Sequence, residues 1–279
     1  MKHLLFFSFL LVAFSLQAQI QTPAASPSMK MEQDLGLGTI TIEYSRPGMK
    51  DREIFGANGL VPTGKIWRLG ANRATKISFS DDVTVNGKAL EAGAYAVLAT
   101  PSANSWAFEF HPHASGSWSS YVDKDPTITV DGKVKRMSNA METFTIMTNN
   151  HTDNSATVDF MWDKSMASLE VSTSVDETVM ANIKQVMAGP SANDMYQAAS
   201  YYHKSGKDLT QALSWIEQAT AGDDPKFWQI RRKALILADM GKTKEAIQAA
   251  TMSMELAQKA GNDDYVSLNK NSIMEWSNK

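Results

Sequence analysis

The chain has 279 residues, 43% of them hydrophobic, and a formal net charge of −3. That length and apolar content allow a sizeable core in one or two domains, and the weak acidity argues against a nucleic-acid partner, which calls for a basic stripe. No cysteine is present, so disulfides and thiol nucleophiles are excluded and stability must come from packing.

The start Met1-Lys2-His3, followed by the apolar run from Leu4 to Ala18, predicts a secretory signal peptide over residues 1–18, cut near Gln19. The run is too short and wrongly flanked for a membrane span, and no cysteine at the cut offers a lipid attachment point. The expectation is an exported protein, periplasmic or secreted, with no membrane anchor after cleavage. Residues 19–28, low in bulk and carrying Pro23 and Pro27, read as a flexible lead-in.

From residue 29 to residue 174 the pattern is that of strands. Ile40, Ile42 and Tyr44 alternate with Thr39, Thr41 and Glu43. Asn86-Gly87 and Asp131-Gly132 are both hairpin dipeptides, and the segments ending with ETFTIMT, ATVDFMW and ASLEVST add short strands at regular spacing. An all-β sandwich is predicted. Near Val175 the period changes: residues 175–190 form a connecting helix and linker that stops at Gly189-Pro190, and residues 191–279 are helical. Gly206-Lys207 and Gln211-Ala212-Leu213 recur as Gly241-Lys242 and Glu245-Ala246-Ile247. The two alanines stand 34 positions apart, the tetratricopeptide period, and suggest a helical arm that takes a peptide or partner protein.

Between two of the predicted strands lies the long segment from Glu43 to Thr75, with Arg46, Arg52, Arg68, Arg73, Trp67 and several glycines. Its pattern Tyr44-Ser45-Arg46-Pro47, Arg52, Ile54-Phe55-Gly56, Leu60-Val61-Pro62, Trp67-Arg68, Gly70-Ala71-Asn72 and Thr75 resembles the domain of unknown function family 2911 of secreted bacterial proteins. The likeness continues through residues 79–101 and past Trp106, covering the β region and none of the helical tail. It implies an exported β domain, sometimes with helical repeats appended, and brings no reaction or cofactor with it. His111-Pro112-His113 lies in a segment expected to vary within the family.

The chain has no G-x-S-x-G elbow, no H-E-x-x-H helix and no phosphate-cradling glycine loop. His111 and His113 are weak metal candidates, since Pro112 interrupts a regular strand and only two ligands are near in sequence. The arginine-rich loop has two explanations. Arg46, Arg52 and Arg68 could form a fork for a carboxylate or phosphate, with Trp67 as a stacking wall and Asn72 fixing orientation. The same side chains could instead bind backbone carbonyls and pin the loop to the sandwich, because long loops need internal hydrogen bonds. The leading expectation is a binding or assembly module. A small-molecule enzyme, a hydrolase or isomerase acting on an anionic or sugar substrate, is the alternative, with Glu43, Glu109, His111 or His113 as base.

Overall fold

The computed structural model describes residues 22–187 and 189–278, so the signal segment and its cut lie outside the described residues. Two compact units result, one ending at Val175 and the other beginning at Asp176. The order is that of a β region followed by an all-α region.

In the first unit, β1 (Ser28–Leu35) turns at Gly36-Leu37 into β2 (Gly38–Ser45), where Ile40, Ile42 and Tyr44 are buried. Successive side chains of a strand point opposite ways, so that apolar row occupies one face. Two short strands, β3 (Phe55–Gly56) and β4 (Val61–Pro62), pair in parallel inside the long loop. Then come β5 (Thr75–Phe79), β6 (Val83–Val85), β7 (Lys88–Leu90), β8 (Gly93–Pro101) and β9 (Ser105–Pro112). β10 (Ile128–Asn149) and β11 (Ser155–Thr173) complete one antiparallel sheet in the order β1-β2-β5-β8-β9-β10-β11-β6-β7.

The sheet folds over a main core in which Trp106, Phe108, Phe110, Phe144, Phe160 and Trp162 are fully buried, and a smaller cluster of Ala74, Ala96, Leu98 and Tyr121 lies apart from it. Its far edge returns onto β10, with Asn86 Nδ2 donating to Asp131 O (2.8 Å) and Lys88 Nζ to Thr129 O (2.6 Å). Both layers of the expected sandwich therefore belong to one continuous sheet.

The hairpin at Asn86-Gly87 forms, with φ of 46° and 80°. The one expected at Asp131-Gly132 does not. Asp131 pairs with Ala107 and Gly132 with Trp106 inside the unbroken β10. A Cβ on Gly132 would stand 2.8 Å from Phe108 Cε2 and 3.0 Å from Ser168 O, so the glycine serves close packing where β10 passes from one neighbour to the next. Lys133 faces both Ser105 of β9 and Ser168 of β11. The separate short strands expected on either side are likewise stretches of β10 and β11. Register shifts between Arg136 and Met141 and between Met141 and Thr145, with Asp163 at φ 49°, bend these long strands and mimic strand ends in the sequence.

The second unit holds α1 (Asp176–Val186), α2 (Ala192–Lys204), α3 (Leu209–Ala219), α4 (Phe227–Asp239), α5 (Thr243–Lys259) and α6 (Asp263–Ser277). α2 begins with a capping box, Ser191 and Asp194 each satisfying the other's backbone N–H. Ala199, Ala212, Ala234, Ala246 and Ala250 are fully buried where the helices cross, small side chains that let the backbones approach. A buried polar chain joins three helices: Asn269 Nδ2 donates to Ser253 Oγ (2.9 Å), and Ser253 Oγ to Phe227 O (2.7 Å). No helix among the described residues is long and apolar enough to cross a membrane.

Candidate functional site

The segment from Arg46 to Ala74 is folded into the β unit piece by piece. Arg46 N donates to Pro27 O (2.9 Å), at the end of the lead-in, and Phe144 N donates to Pro47 O (2.9 Å). Arg46 Nε then reaches Phe144 O (3.2 Å) and its Nη2 reaches Thr145 Oγ1 (2.8 Å) on β10. Lys50 and Asp51 take positive φ, and Arg52 closes that turn by donating to Met49 O (2.9 Å) and Gly48 O (2.6 Å). Both guanidinium groups are thus spent on partners inside the fold, as a loop without regular structure requires.

Trp67 enters the sheet where β5 stops. Beyond the Thr75–Val97 pair, Trp67 N donates to Ala99 O (2.7 Å) and Ala99 N donates to Trp67 O (2.9 Å). Its ring is 9% exposed and stacks on Trp162 at 5.7 Å and 18°, edge-on to Phe144 (5.0 Å) and Trp106 (5.9 Å). The indole N–H donates to Gly70 O (3.1 Å). Leu69 is buried at φ 56°, and the Thr75 hydroxyl donates to its carbonyl, fixing a backbone conformation that side chains of this size rarely adopt.

The remaining candidates point elsewhere. The Arg68 guanidinium lies 5.5 Å from the ring centre of Trp118, in the short 3-10 turn Trp118–Ser120. Asn72 Nδ2 donates to Ser26 O and Ser45 Oγ, each at 3.3 Å. Arg46, Arg52 and Arg68 share no partner, so the three-arginine fork is not assembled. Trp118 is only half-buried, whereas Trp106 and Trp162 are in the core.

His111 and His113 are also separated in surroundings. His111 is 1% exposed, with Nε2 at 3.4 Å from Glu109 Oε2 and its ring 5.5 Å from Tyr121. His113 is exposed beyond the end of β9. Among the described residues no group of three or more His, Cys, Asp or Glu side chains is placed to hold a metal.

What the β unit does assemble is a cleft of about 500 Å3 on the outer face of the sheet. Strand register creates it: Lys30 of β1 stands opposite Glu43 of β2, and Glu43 opposite Lys76 of β5. Asn72, Arg73 and His113 close the far side. Ala74 N donates to Gly116 O (3.1 Å) and His113 N to Ala94 O (2.8 Å), so that wall is tied to the sheet. Lys76 Nζ is 2.6 Å from Glu43 Oε1. That hydrogen bond holds the Glu43 carboxyl below its ordinary range; partial burial opposes it, and Lys76, Lys30 and His113 add electrostatic attraction. Sequence reasoning offered Asn72, Glu43 and His113 but missed Lys30, Arg73 and Lys76 as a group. The missing signal was β1, whose side chains alternate weakly in polarity.

In the helical unit, a groove of about 450 Å3 is lined by Met180, Ile183 and Met187 with Tyr202 of α2 and Trp215 of α3. α1 has no buried residue. Asp176 at its start accepts from Tyr201 Oη (2.7 Å) and pairs with Lys207 Nζ (2.8 Å). The Lys207 hydrogen bond, then that of Tyr201, draws the Asp176 carboxyl below its ordinary range.

The family model described as "Protein of unknown function (DUF2911)" matches residues 26–171. No curated protein and no solved structure matches the chain.

Proposed function

That match makes the chain a member of the DUF2911 family, and on this premise we propose that the protein is an exported, non-catalytic binding or assembly module. The helical unit is a tetratricopeptide-like arm that receives an apolar-anchored peptide or partner protein. Ala212 and Ala246, 34 positions apart, are both fully buried at equivalent helix crossings, and Gly206 and Gly241 close the preceding turns at φ 62° and 75°.

The observation that carries this reading is the groove. Met180 and Ile183 of α1 and Met187 just past its end recur at helical spacing along one side, face the aromatic pair Tyr202 and Trp215 (ring centres 4.8 Å apart), and leave room for an inserted apolar side chain. Capture from envelope extract by the full chain and by a Met180→Lys, Met187→Lys double variant tests it. The variant should lose partners that the parent retains; an unchanged set of captured proteins would count against the arm as the binding element.

A second reading, a hydrolase or isomerase acting on an anionic or sugar substrate, draws on the outer cleft, where Glu43 and His113 stand beside Asn72. It requires turnover that Glu43→Gln and His113→Gln each abolish. Turnover surviving both substitutions would remove it.

A further inference from the structure

We propose that the outer cleft of the β unit binds a small hydroxylated organic anion, with Arg73 and Lys30 taking the anionic group. This goes beyond the helical-arm reading and holds whether or not a partner occupies that arm.

Charge is the first argument. Lys30, Arg73 and Lys76 line the cleft against one carboxylate, Glu43, so the local balance is positive although the whole chain carries −3. Lys76 is engaged by Glu43 at 2.6 Å. Arg73 has no ion pair or hydrogen bond through its side chain among the described residues. It is exposed and packs its aliphatic stem beside Gly116, where a Cβ would be 3.1 Å from Arg73 Cδ. Arg46 and Arg52, by contrast, hold internal carbonyls. A guanidinium that is positioned along its stem and unsatisfied at its head presents donors suited to a carboxylate or a phosphate.

The neutral groups argue for hydroxyls on the ligand. Asn72 sits at φ 60° with its amide nitrogen fixed on Ser26 O and Ser45 Oγ, which aims its side chain at the cleft wall. Ser28 stands opposite Ser45 across the β1–β2 pair, adding hydroxyls to the same wall. The ionised Glu43 contributes acceptor capacity beyond its bond to Lys76. The side chain of Tyr44 turns inward to the core, as does that of Met29. The walls are strand register and loop hydrogen bonds, so the groups are held before a ligand arrives.

Calorimetric titration of the purified full chain with gluconate, glucose 6-phosphate, glucose and inorganic phosphate tests the proposal. At least one of the two hydroxylated anions should bind saturably, with Kd between about 10 µM and about 1 mM, and glucose should not. Whether gluconate, glucose 6-phosphate or both bind identifies the preferred anionic group. Arg73→Gln and Lys30→Gln should each weaken binding about tenfold or more with the thermal midpoint unchanged, and added salt should weaken it further. Should Arg73→Gln lower the midpoint, Lys30→Gln, on the edge strand, carries the test alone. No binding of either anion, affinity indifferent to both substitutions, or inorganic phosphate binding as tightly as the sugar phosphate would overturn the assignment.

Discussion

At the scale of single residues, the arginine-rich segment divides by what each side chain touches. Trp67 fills the centre of the core, and Trp67→Ala should destabilise the β unit by about 3 to 5 kcal/mol, read from its transition in denaturant unfolding of the full chain. Arg46→Ala should cost about 1 to 3 kcal/mol, since it strips donors from Phe144 O and Thr145 Oγ1 on β10. Trp67 was legible in the sequence through its apolar neighbours Ile66, Leu69 and Ile77. The destination of each arginine was not, because a guanidinium serves an internal carbonyl and a bound carboxylate with the same donors. Glu43 offers a pH test. Its folded carboxyl titrates below its unfolded value, so the Lys76 pair stabilises above the unfolded pKa, and that contribution is lost as pH falls through the folded one. With the Glu43 side chain 42% exposed, the effect at neutral pH stays within about 1 kcal/mol, the range of surface pairs. Lys76→Met should return the Glu43 titration, followed by carbon NMR, toward its ordinary value.

At the scale of elements, the long strands explain what the alternation pattern concealed. A dipeptide reports only local turn preference, and Asp131-Gly132 has that preference while lying between two pairing partners that extend it. Gly132→Ala should cost about 1 to 3 kcal/mol, because the added methyl meets Phe108 and the Ser168 carbonyl; a cost below about 0.5 kcal/mol in denaturant unfolding would contradict the close approach. α1 is the opposite case, a helix whose amphipathic spacing was readable although none of its residues is fully buried. Its tether is Asp176, shared by Tyr201 and Lys207. Asp176→Asn should speed hydrogen exchange in α1 while α3 to α5 keep their protection. Acid should act similarly, since the lowered Asp176 pKa keeps the tether until pH falls through it.

For the whole molecule, the switch of hydrophobic period near Val175 made the order of β and α regions legible, because strands and helices repeat their apolar positions at two and at three to four residues. Sheet continuity was not legible, since it depends on which strands pair, and the distant partners Ile42–Ile77 and Val171–Val85 leave no local signal. The anion cleft was hidden for the same reason: Lys30, Glu43 and Lys76 become neighbours only through register.

The Trp67–Trp162 stack has an optical consequence. Two indoles held 5.7 Å apart and 18° from parallel, from segments 95 positions apart in the chain, are close enough for their electronic transitions to couple. The folded protein should show an exciton couplet in its circular dichroism that Trp67→Phe abolishes, because Trp67 belongs to both close indole pairs, and that Trp162→Phe reduces to the Trp67–Trp106 pair. The couplet then reports one event, the seating of the long loop into the sheet, separately from helix content, and a stopped-flow trace of it would time that event during folding.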